Sequence, residues 1–308
     1  MLSVQTTNLT KKFGTLTAVK QLNLEVKAGE IFGLVGPDAS GKTTTLRMLC
    51  GILRPDEGEA VVAECNIRTE AEALKEKVGY LPQRFGLYGD LTVLENIQFY
   101  ADLYQVSKKG RRERIDRLLH FANLDPFKTR KAQDLSGGMK QKLGLICALV
   151  HTPQILFLDE PTTGVDPLSR RDFWVILYEL LKEGVTILFS TSYLDEAERC
   201  NRVGLMYQGE LLVTDTPSVI KAQIGGTILE VRTDGNQRAM RALEVTESLR
   251  SVVLSGDKIH ALVDDPAEGE RMIRQALKAL DLEIVSLVVV RPSLEDVFVS
   301  IVRGQKKD

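Results

Sequence analysis

The chain contains at positions 36–43 the sequence Gly36, Pro37, Asp38, Ala39, Ser40, Gly41, Lys42, Thr43, which fits the pattern G-x-x-x-x-G-K-[ST]. An apolar run precedes it at residues 31–35, and a helical stretch follows at residues 42–50. In that setting the loop and the start of the helix direct several backbone N–H groups at one point, which suits a phosphate group. The pattern therefore predicts a polyphosphate site at a strand-to-helix turn.

Outward from this loop, the first two thirds of the chain alternate apolar runs with helical stretches, as at residues 155–158 and 185–189. Such alternation predicts an α/β fold with a largely parallel sheet flanked by helices. Residues 91–150 show helix-like spacing, and we interpret their charge run at residues 111–117 as a solvated helix face rather than a binding patch.

The last third differs in character after Gly225 and Gly226. Strand-like runs and helical stretches follow in the order βαββαβ, which is typical of a small ferredoxin-like α+β domain. The predicted strands are residues 227–232, 251–254, 259–263 and 283–290, and the predicted helices are near residues 238–243 and 270–280. We therefore predict a nucleotide-binding domain at residues 1–224, with a helical subdomain at about residues 84–150, and an accessory domain at residues 225–308.

Two acidic residues end an apolar run at residues 155–160. Beside a phosphate-binding loop, Asp159 would hold Mg²⁺ through water and Glu160 would polarise an attacking water. Lys42 would add a fixed positive charge, and Thr43 would offer its hydroxyl to the cation. An acidic strand end alone is weak evidence for a nucleotide site. It counts here because a phosphate-binding loop lies upstream in the same chain.

The overall composition of the chain limits the kinds of partner that it is expected to bind. The formal net charge is −2, which gives no electrostatic support for nucleic acid. No apolar run approaches the roughly 18 residues of a membrane-spanning helix, so we expect no direct membrane insertion and any membrane contact to go through a partner. The four cysteines form no C-x-x-C pair and are predicted to be core residues in a reducing compartment.

One further string sits between the loop and the acidic strand: Leu135, Ser136, Gly137, Gly138, Met139, Lys140, Gln141. It resembles the L-S-G-G-x-x-Q signature motif of ATP-binding cassette (ABC) ATPases. The resemblance implies that Ser136, Gly137 and Gly138 open a helix facing the γ-phosphate of ATP bound by a second ATP-binding subunit. A small-residue turn before a helix has the same anion-binding physics as the first loop.

Other positions extend this resemblance over about residues 2–215. Gln83 is similar to the glutamine that contacts Mg²⁺ and links the site to the membrane partner, although a surface glutamine remains an alternative. Phe13 corresponds to an aromatic ring that stacks on adenine, although a core role remains open. Thr44 joins the ATP-binding loop, and the segment 164–166 resembles the loop at the subunit contact. The sequence at 291–298 resembles the accessory domain of bacterial ABC-2 type exporter ATPases.

The sequence departs from the family after the strand at residues 185–189. The family has a γ-phosphate-contacting histidine there, whereas this chain has Ser192, and its three histidines lie elsewhere. Losing one preorganised donor costs on the order of 10² to 10³ in rate, so hydrolysis should suffer more than binding. The loop also has Asp38 and Ala39 where Asn and Gly are common, and a positive φ at Ala39 would cost roughly 1 kcal/mol.

Together these features resemble the first half of tandem drug-efflux ATPases. The resemblance implies an ATP-binding subunit of an ABC-2 type exporter, cytoplasmic and peripheral on the inner face of the membrane, using ATP and Mg²⁺. Its expected partners are an ABC-2 type membrane permease and a second ATP-binding subunit, identical or different. A hydrolysis-impaired regulatory half is the alternative. A soluble ABC ATPase acting on ribosomes or DNA is disfavoured, because such chains carry two cassettes or coiled-coil insertions.

Overall fold

The computed structural model describes residues 1–84, 86–246 and 249–305, which divide into two compact units after Leu211. The predicted domain boundary at residue 224 stays a prediction. The elements that begin in the first unit are, in chain order, β1 (Leu2–Phe13), β2 (Leu16–Leu22), β3 (Glu25–Lys27), β4 (Ile31–Val35), α1 (Lys42–Leu49), β5 (Glu57–Val62), β6 (Cys65–Asn66), α2 (Ala71–Lys77), β7 (Val78–Leu81), α3 (Val93–Leu103), α4 (Arg111–Phe121), α5 (Gly137–Leu149), β8 (Ile155–Asp159), α6 (Pro167–Lys182), β9 (Thr186–Thr191), α7 (Leu194–Ala197), β10 (Arg202–Tyr207) and β11 (Glu210–Asp215).

A six-stranded sheet of order β11-β10-β4-β9-β8-β7 positions the site. From β10 to β7 the neighbouring strands pair in parallel. β4, β8 and β9 are buried along their whole length, as central parallel strands are. Val35 pairs with Thr191 and Asp159 with Ser190, so these three strands end at one edge of the sheet. That edge is where open parallel sheets bind ligands.

A second sheet packs against the first unit's core. Its order is β2-β1-β5-β6, with β3 paired to β1. α1 joins the two sheets, because its fully buried Leu46 and Leu49 share one core with Val62 of β5 and Phe157 of β8. Burial of such side chains stabilises the fold by about 1.5–3 kcal/mol each. The first turn of α1 is therefore fixed beside the ends of β4 and β8.

The segment between β7 and β8 is helical, as its spacing predicts, and holds α3, α4 and α5. α3 begins with a capping box in which Thr92 accepts from the Glu95 backbone N–H and Glu95 accepts from that of Thr92. All four cysteines, Cys50, Cys65, Cys147 and Cys200, are buried free thiols. Within the described residues, no helix is long and apolar enough to cross a membrane.

The elements that begin in the second unit are α8 (Pro217–Ala222), β12 (Thr227–Thr233), α9 (Asn236–Glu244), β13 (Ser251–Ser255), β14 (Lys258–Val263), α10 (Pro266–Lys278), β15 (Ile284–Val290) and α11 (Leu294–Gln305). The sheet has the antiparallel order β13-β14-β12-β15. This βαββαβ order confirms the predicted ferredoxin-like α+β region. α10 begins four residues earlier than predicted, because Asp265 caps it and Pro266 suits its first position.

Candidate functional site

The loop between β4 and α1 has a backbone that only glycine fits at two positions. A Cβ at Gly36 would lie 2.1 Å from the Met206 carbonyl oxygen, and one at Gly41, where φ is +108°, would lie 2.4 Å from that of Ala18. Ala39 also has a positive φ of 61°. This is the backbone conformation in which we expected an alanine to be strained. The hydroxyl of Ser40 is buried and has no hydrogen-bond partner within the described part of the chain.

Lys42 lies at the centre of this loop with its side chain 3% exposed. Its Nζ donates to the carbonyl oxygens of Gly36 at 2.8 Å and Pro37 at 2.9 Å, and it pairs with Glu160 Oε1 at 3.1 Å. These contacts hold the ammonium group over the loop. A fixed ammonium group at the N-terminus of a helix suits an anionic ligand.

Asp159 is a fully buried carboxylate beside Thr43. Its Oδ1 accepts from Thr43 Oγ1 at 2.8 Å and from Ser190 Oγ at 2.9 Å, while its Oδ2 accepts from the Tyr80 hydroxyl at 3.2 Å. Burial, and next the charge of Asp159, raise the pKa of Tyr80, so the phenol stays a donor. A hydroxyl and a carboxylate oxygen thus meet at the end of β8, a donor pair that suits Mg²⁺.

Glu160 follows Asp159 with a φ of 47°, an uncommon conformation for glutamate. Its backbone N–H donates to Ser190 Oγ at 3.0 Å, which fixes the turn to β9. Its Oε2 accepts from Gln83 Nε2 at 3.1 Å. In this structure the amide of Gln83 therefore touches Glu160, whereas the predicted contact of Gln83 with Mg²⁺ stays a prediction.

One cleft of about 1050 Å³ brings most of the predicted site residues together. Its lining includes Phe13, Asp38, Ala39, Ser40, Gly41, Lys42, Thr43, Thr44, Gln83, Glu160 and Ser192. The ring of Phe13 ends β1 and is 49% exposed, which argues against a core role. Because a flat aromatic ring at the mouth of a phosphate-binding cleft can stack on a base, the geometry suits a nucleotide.

The signature string lies outside that cleft. Ser136 caps α5 by accepting a hydrogen bond from the Met139 backbone N–H at 3.3 Å. Gly138 packs so closely on α6 that a Cβ would lie 2.5 Å from Ser169. Gly137 lines a separate cleft of about 390 Å³, which Gln83 also lines. The structure therefore does not bring the small-residue turn to the phosphate loop of its own chain.

Ser192 lies in the main cleft immediately after β9, where the resemblance implies a histidine. None of the three histidines of the sequence lines this cleft. His151 is engaged by the Val78 carbonyl at 2.9 Å, and His260 lies in the second unit.

Sequence reasoning did not single out Tyr80, Ser190 or Glu196. Tyr80 and Ser190 each lie one residue before the end of a strand, β7 and β9, so each carried the signal of a polar group near a strand terminus. Glu196 is completely buried and accepts hydrogen bonds from Thr162 and Thr191. Thr162 lies 34 residues away in the chain, so no local pattern pointed to this contact.

The residues present fit a nucleotide with a divalent cation. The buried hydroxyl of Ser40 is available as a donor, and the Thr43–Asp159 pair offers oxygen ligands. In the described ranges no group of three or more His, Cys, Asp or Glu residues could hold a metal. Thr43 and Asp159 would supply part of a cation's ligands, as is usual for Mg²⁺ bound with phosphates.

Fold and site together define a P-loop nucleotide-binding protein with an appended α+β region. The family model described as "ABC transporter" matches residues 19–163, and the one described as "ATP-binding protein DrrA1-3-like, C-terminal domain" matches residues 216–302. The chain belongs to the ABC transporter ATP-binding proteins, a family of ATPases.

Relatives of similar sequence carry names from this family. The probable multidrug ABC transporter ATP-binding protein YbhF of Escherichia coli K12 is 43% identical over 293 residues, which cover 93% of this chain and 49% of YbhF. The chain thus spans about half the length of that relative. The daunorubicin/doxorubicin resistance ATP-binding protein DrrA of Streptomyces peucetius is 33% identical, covering 97% of this chain and 92% of DrrA.

Solved structures show the same cassette. The dimeric post-hydrolysis structure of the ATP-binding cassette MJ0796, bound to ADP and Pi, has a TM-score of 0.63 and 30% identity, covering 69% of this chain and 98% of that one. CbiO1 from Clostridium perfringens has a TM-score of 0.66 and 27% identity, covering 72% of this chain and 91% of that one.

Proposed function

We propose that this chain hydrolyses ATP to drive efflux through an ABC-2 type membrane permease, as one of two ATP-binding subunits at the cytoplasmic face of the membrane. The observation that carries the proposal is the cluster of Lys42, Thr43, Asp159 and Glu160 at the converging ends of β4 and β8. Export is favoured by the name of a relative, the Nod factor export ATP-binding protein I of Burkholderia lata, which is 35% identical over 297 residues. The drug-resistance name of DrrA agrees with efflux.

Bound ATP with Mg²⁺ would supply the electrophilic phosphorus and a cation that offsets its charge. Lys42 would hold the β- and γ-phosphate oxygens by charge-assisted hydrogen bonds. Thr43 and Asp159 would hold the cation, and Gln83 would be a further ligand. Glu160 would orient and polarise the attacking water.

Two sets of residues would complete the nucleotide's surroundings. Phe13 would stack on the adenine ring from the mouth of the cleft. The turn Ser136, Gly137, Gly138 would meet the nucleotide of the second subunit, which accounts for its position outside this chain's own cleft. The sandwich would close on ATP and reopen after hydrolysis.

Ser192 favours a second candidate, a regulatory half that holds nucleotide and hydrolyses it poorly. A serine hydroxyl in the cleft is shorter than an imidazole and never cationic, so it stabilises developing γ-phosphate charge less. Ground-state binding depends on the loop and on Lys42, which this substitution leaves intact.

The test is ATP turnover of the purified chain, alone and with its permease, for wild type, Glu160→Gln and the surface control Glu179→Gln. Turnover in wild type and the control, but not in Glu160→Gln, supports the ATPase proposal. Tight ATP binding with wild-type turnover no higher than that of Glu160→Gln supports the regulatory candidate. Absence of ATP binding overturns both.

A further inference from the structure

Glu196 is a fully buried carboxylate that does not line the nucleotide cleft. Its Oε1 accepts from Thr162 Oγ1 at 2.7 Å and its Oε2 from Thr191 Oγ1 at 2.8 Å. Thr162 follows Glu160 by two residues, and Thr191 immediately precedes Ser192. One carboxylate thus joins the two turns that carry the predicted catalytic residues.

Arg170 approaches the same group from the first turns of α6. Its Nε lies 3.6 Å from Glu196 Oε1, and its Nη1 lies 3.7 Å from Asp195 Oδ2. Its guanidinium carbon stands 4.7 Å from the centroid of the Tyr193 ring, a cation–π distance. The backbone N–H of Tyr193 in turn donates to Thr191 Oγ1 at 2.9 Å. The residues on both sides of Ser192 are therefore fixed, Thr191 by Glu196 and Tyr193 by Arg170.

A pair of similar chemistry lies at the opposite end of the parallel sheet. Arg202, at the start of β10, contacts Glu30 at 3.2 Å and stands 5.6 Å from the Phe32 ring centroid. Glu30 precedes β4, so it is remote from the strand ends that form the cleft. Because both carboxylates are almost completely buried beside an arginine, the Glu30–Arg202 pair is a matched control for Glu196–Arg170.

We propose that Glu196 and Arg170 are positioning residues for hydrolysis, an inference that rests on the proposed ATPase function. Glu196 links the turn after Glu160 to the turn before Ser192 through its two threonine hydrogen bonds. Arg170 of α6 contacts Glu196 and so fixes this link to the helix. Neither residue lines the nucleotide cleft. A displacement of about 1 Å in such a turn can cost about a hundredfold in rate. Lys42 keeps its own contacts with the Gly36 and Pro37 carbonyl oxygens, so we expect ATP binding to depend less on this link.

The experiment compares Glu196→Ala, Glu196→Gln and Arg170→Ala with Glu30→Ala and Arg202→Ala in the full chain. For Glu196→Ala and Arg170→Ala we expect kcat to fall by about tenfold to a hundredfold with ATP affinity and KM unchanged. Glu196→Gln keeps groups that can hydrogen-bond both threonines and should recover part of the loss. The Glu30 and Arg202 variants should keep wild-type kcat.

Amide hydrogen exchange provides a readout independent of turnover. In Glu196→Ala, exchange should rise at residues 160–163 and 190–193 and stay unchanged at residues 40–43. Gly36 should follow the second turn, because its N–H donates to the Thr191 carbonyl oxygen at 3.2 Å. Unchanged exchange at those two turns, or a rise spread over the whole first unit, would overturn the proposal. If wild type does not hydrolyse ATP, the ATPase function fails, and the exchange pattern alone still decides whether Glu196 holds the two turns.

Discussion

Lys42 Nζ lies 3.1 Å from Glu160 Oε1, and the side chains of both residues are almost completely buried. A phosphate that reaches Lys42 must therefore compete for its ammonium group with Glu160, which is also negatively charged. Glu160 has a second contact, with Gln83, which can hold it while Lys42 turns to the phosphate. Both partners of a buried ion pair depend on each other, because removal of one leaves the other uncompensated.

We expect Lys42→Ala to weaken ATP binding by roughly 10- to 100-fold, since charge-assisted hydrogen bonds are worth about 1.5–3 kcal/mol. Titration with a fluorescent ATP analogue measures the affinity. Lys182→Ala is the control, because that lysine lies on the surface of α6 and pairs only with Glu179 among the contacts of the described chain. Equal affinities for Lys42→Ala and wild type would contradict the loop's role.

ATP should drive association of the chain with itself or with a second ATP-binding subunit. The turn at Ser136 lies outside the chain's own nucleotide cleft and would gain a phosphate across a dimer. Sedimentation of Glu160→Gln, which should hold ATP without cleaving it, is expected to shift from monomer to dimer when ATP and Mg²⁺ are added. A constant mass with either candidate partner would count against the sandwich.

Ser192→His should raise turnover, by up to the order of 10² if the serine limits the rate, and leave ATP affinity largely unchanged. The added imidazole acts on charge that develops in the transition state, whereas ground-state binding depends on the loop. Steady-state ATPase measurements on wild type, Ser192→His and Ser192→His/Glu160→Gln make the comparison. Ordinary wild-type turnover with no gain from histidine would reject an impaired site.

Ala39→Gly should leave stability unchanged or raise it by up to about 1.6 kcal/mol. Relief of the left-handed φ of 61° gains about 1–2 kcal/mol, and the extra freedom of glycine in the unfolded chain costs about 0.4–1 kcal/mol. Ala279→Gly is the control: this exposed alanine directly follows α10, has a φ of −61° and should lose stability. Equal destabilisation of both variants in thermal unfolding would show that Ala39 is unstrained.

His260 should make the second unit less stable as pH rises. Its Nδ1 lies 2.9 Å from Asp296 Oδ1, and this hydrogen bond outweighs burial and raises the pKa of His260 above 6.5. The stabilisation is therefore complete below about pH 6.5 and is lost as pH rises through the raised pKa. Glu230 also faces His260, at 3.4 Å from Nε2, and it pairs with Lys258 at 2.9 Å. The hydrogen bond from Lys258 lowers the pKa of Glu230.

The measurement is thermal unfolding of wild type and His260→Gln at pH 6 and pH 9. We expect the variant to lose about 1–2 kcal/mol at pH 6 and less at pH 9. His120→Gln, at a side chain that is 87% exposed, controls for the loss of an imidazole. A destabilisation that grows towards pH 9 would have the wrong sign.

Local patterns predicted the parts of this fold that local chemistry determines. The loop at residues 36–43 and the strand ending at Asp159 were recognisable because each combines a short motif with a flanking apolar run. The order βαββαβ followed from alternation alone. α11 was not predicted, although Ser293 and Asp296 cap it through reciprocal hydrogen bonds.

Contacts between distant segments could not be predicted. The contact of Gln83 with Glu160 and the burial of Glu196 depend on how β7, β8 and β9 align, and no short pattern encodes that alignment. The positive φ of Ala39 could only be stated as a condition, because side-chain identity does not fix a backbone angle that surrounding packing imposes.

The four buried thiols make this chain a convenient host for site-specific labels. Burial raises the pKa of Cys50, Cys147 and Cys200, so these groups remain protonated and unreactive in the folded protein. A single cysteine introduced on the exposed face of α6 would then react with a maleimide dye ahead of the native four. Approach and separation of two subunits could be followed by energy transfer without first removing any natural cysteine.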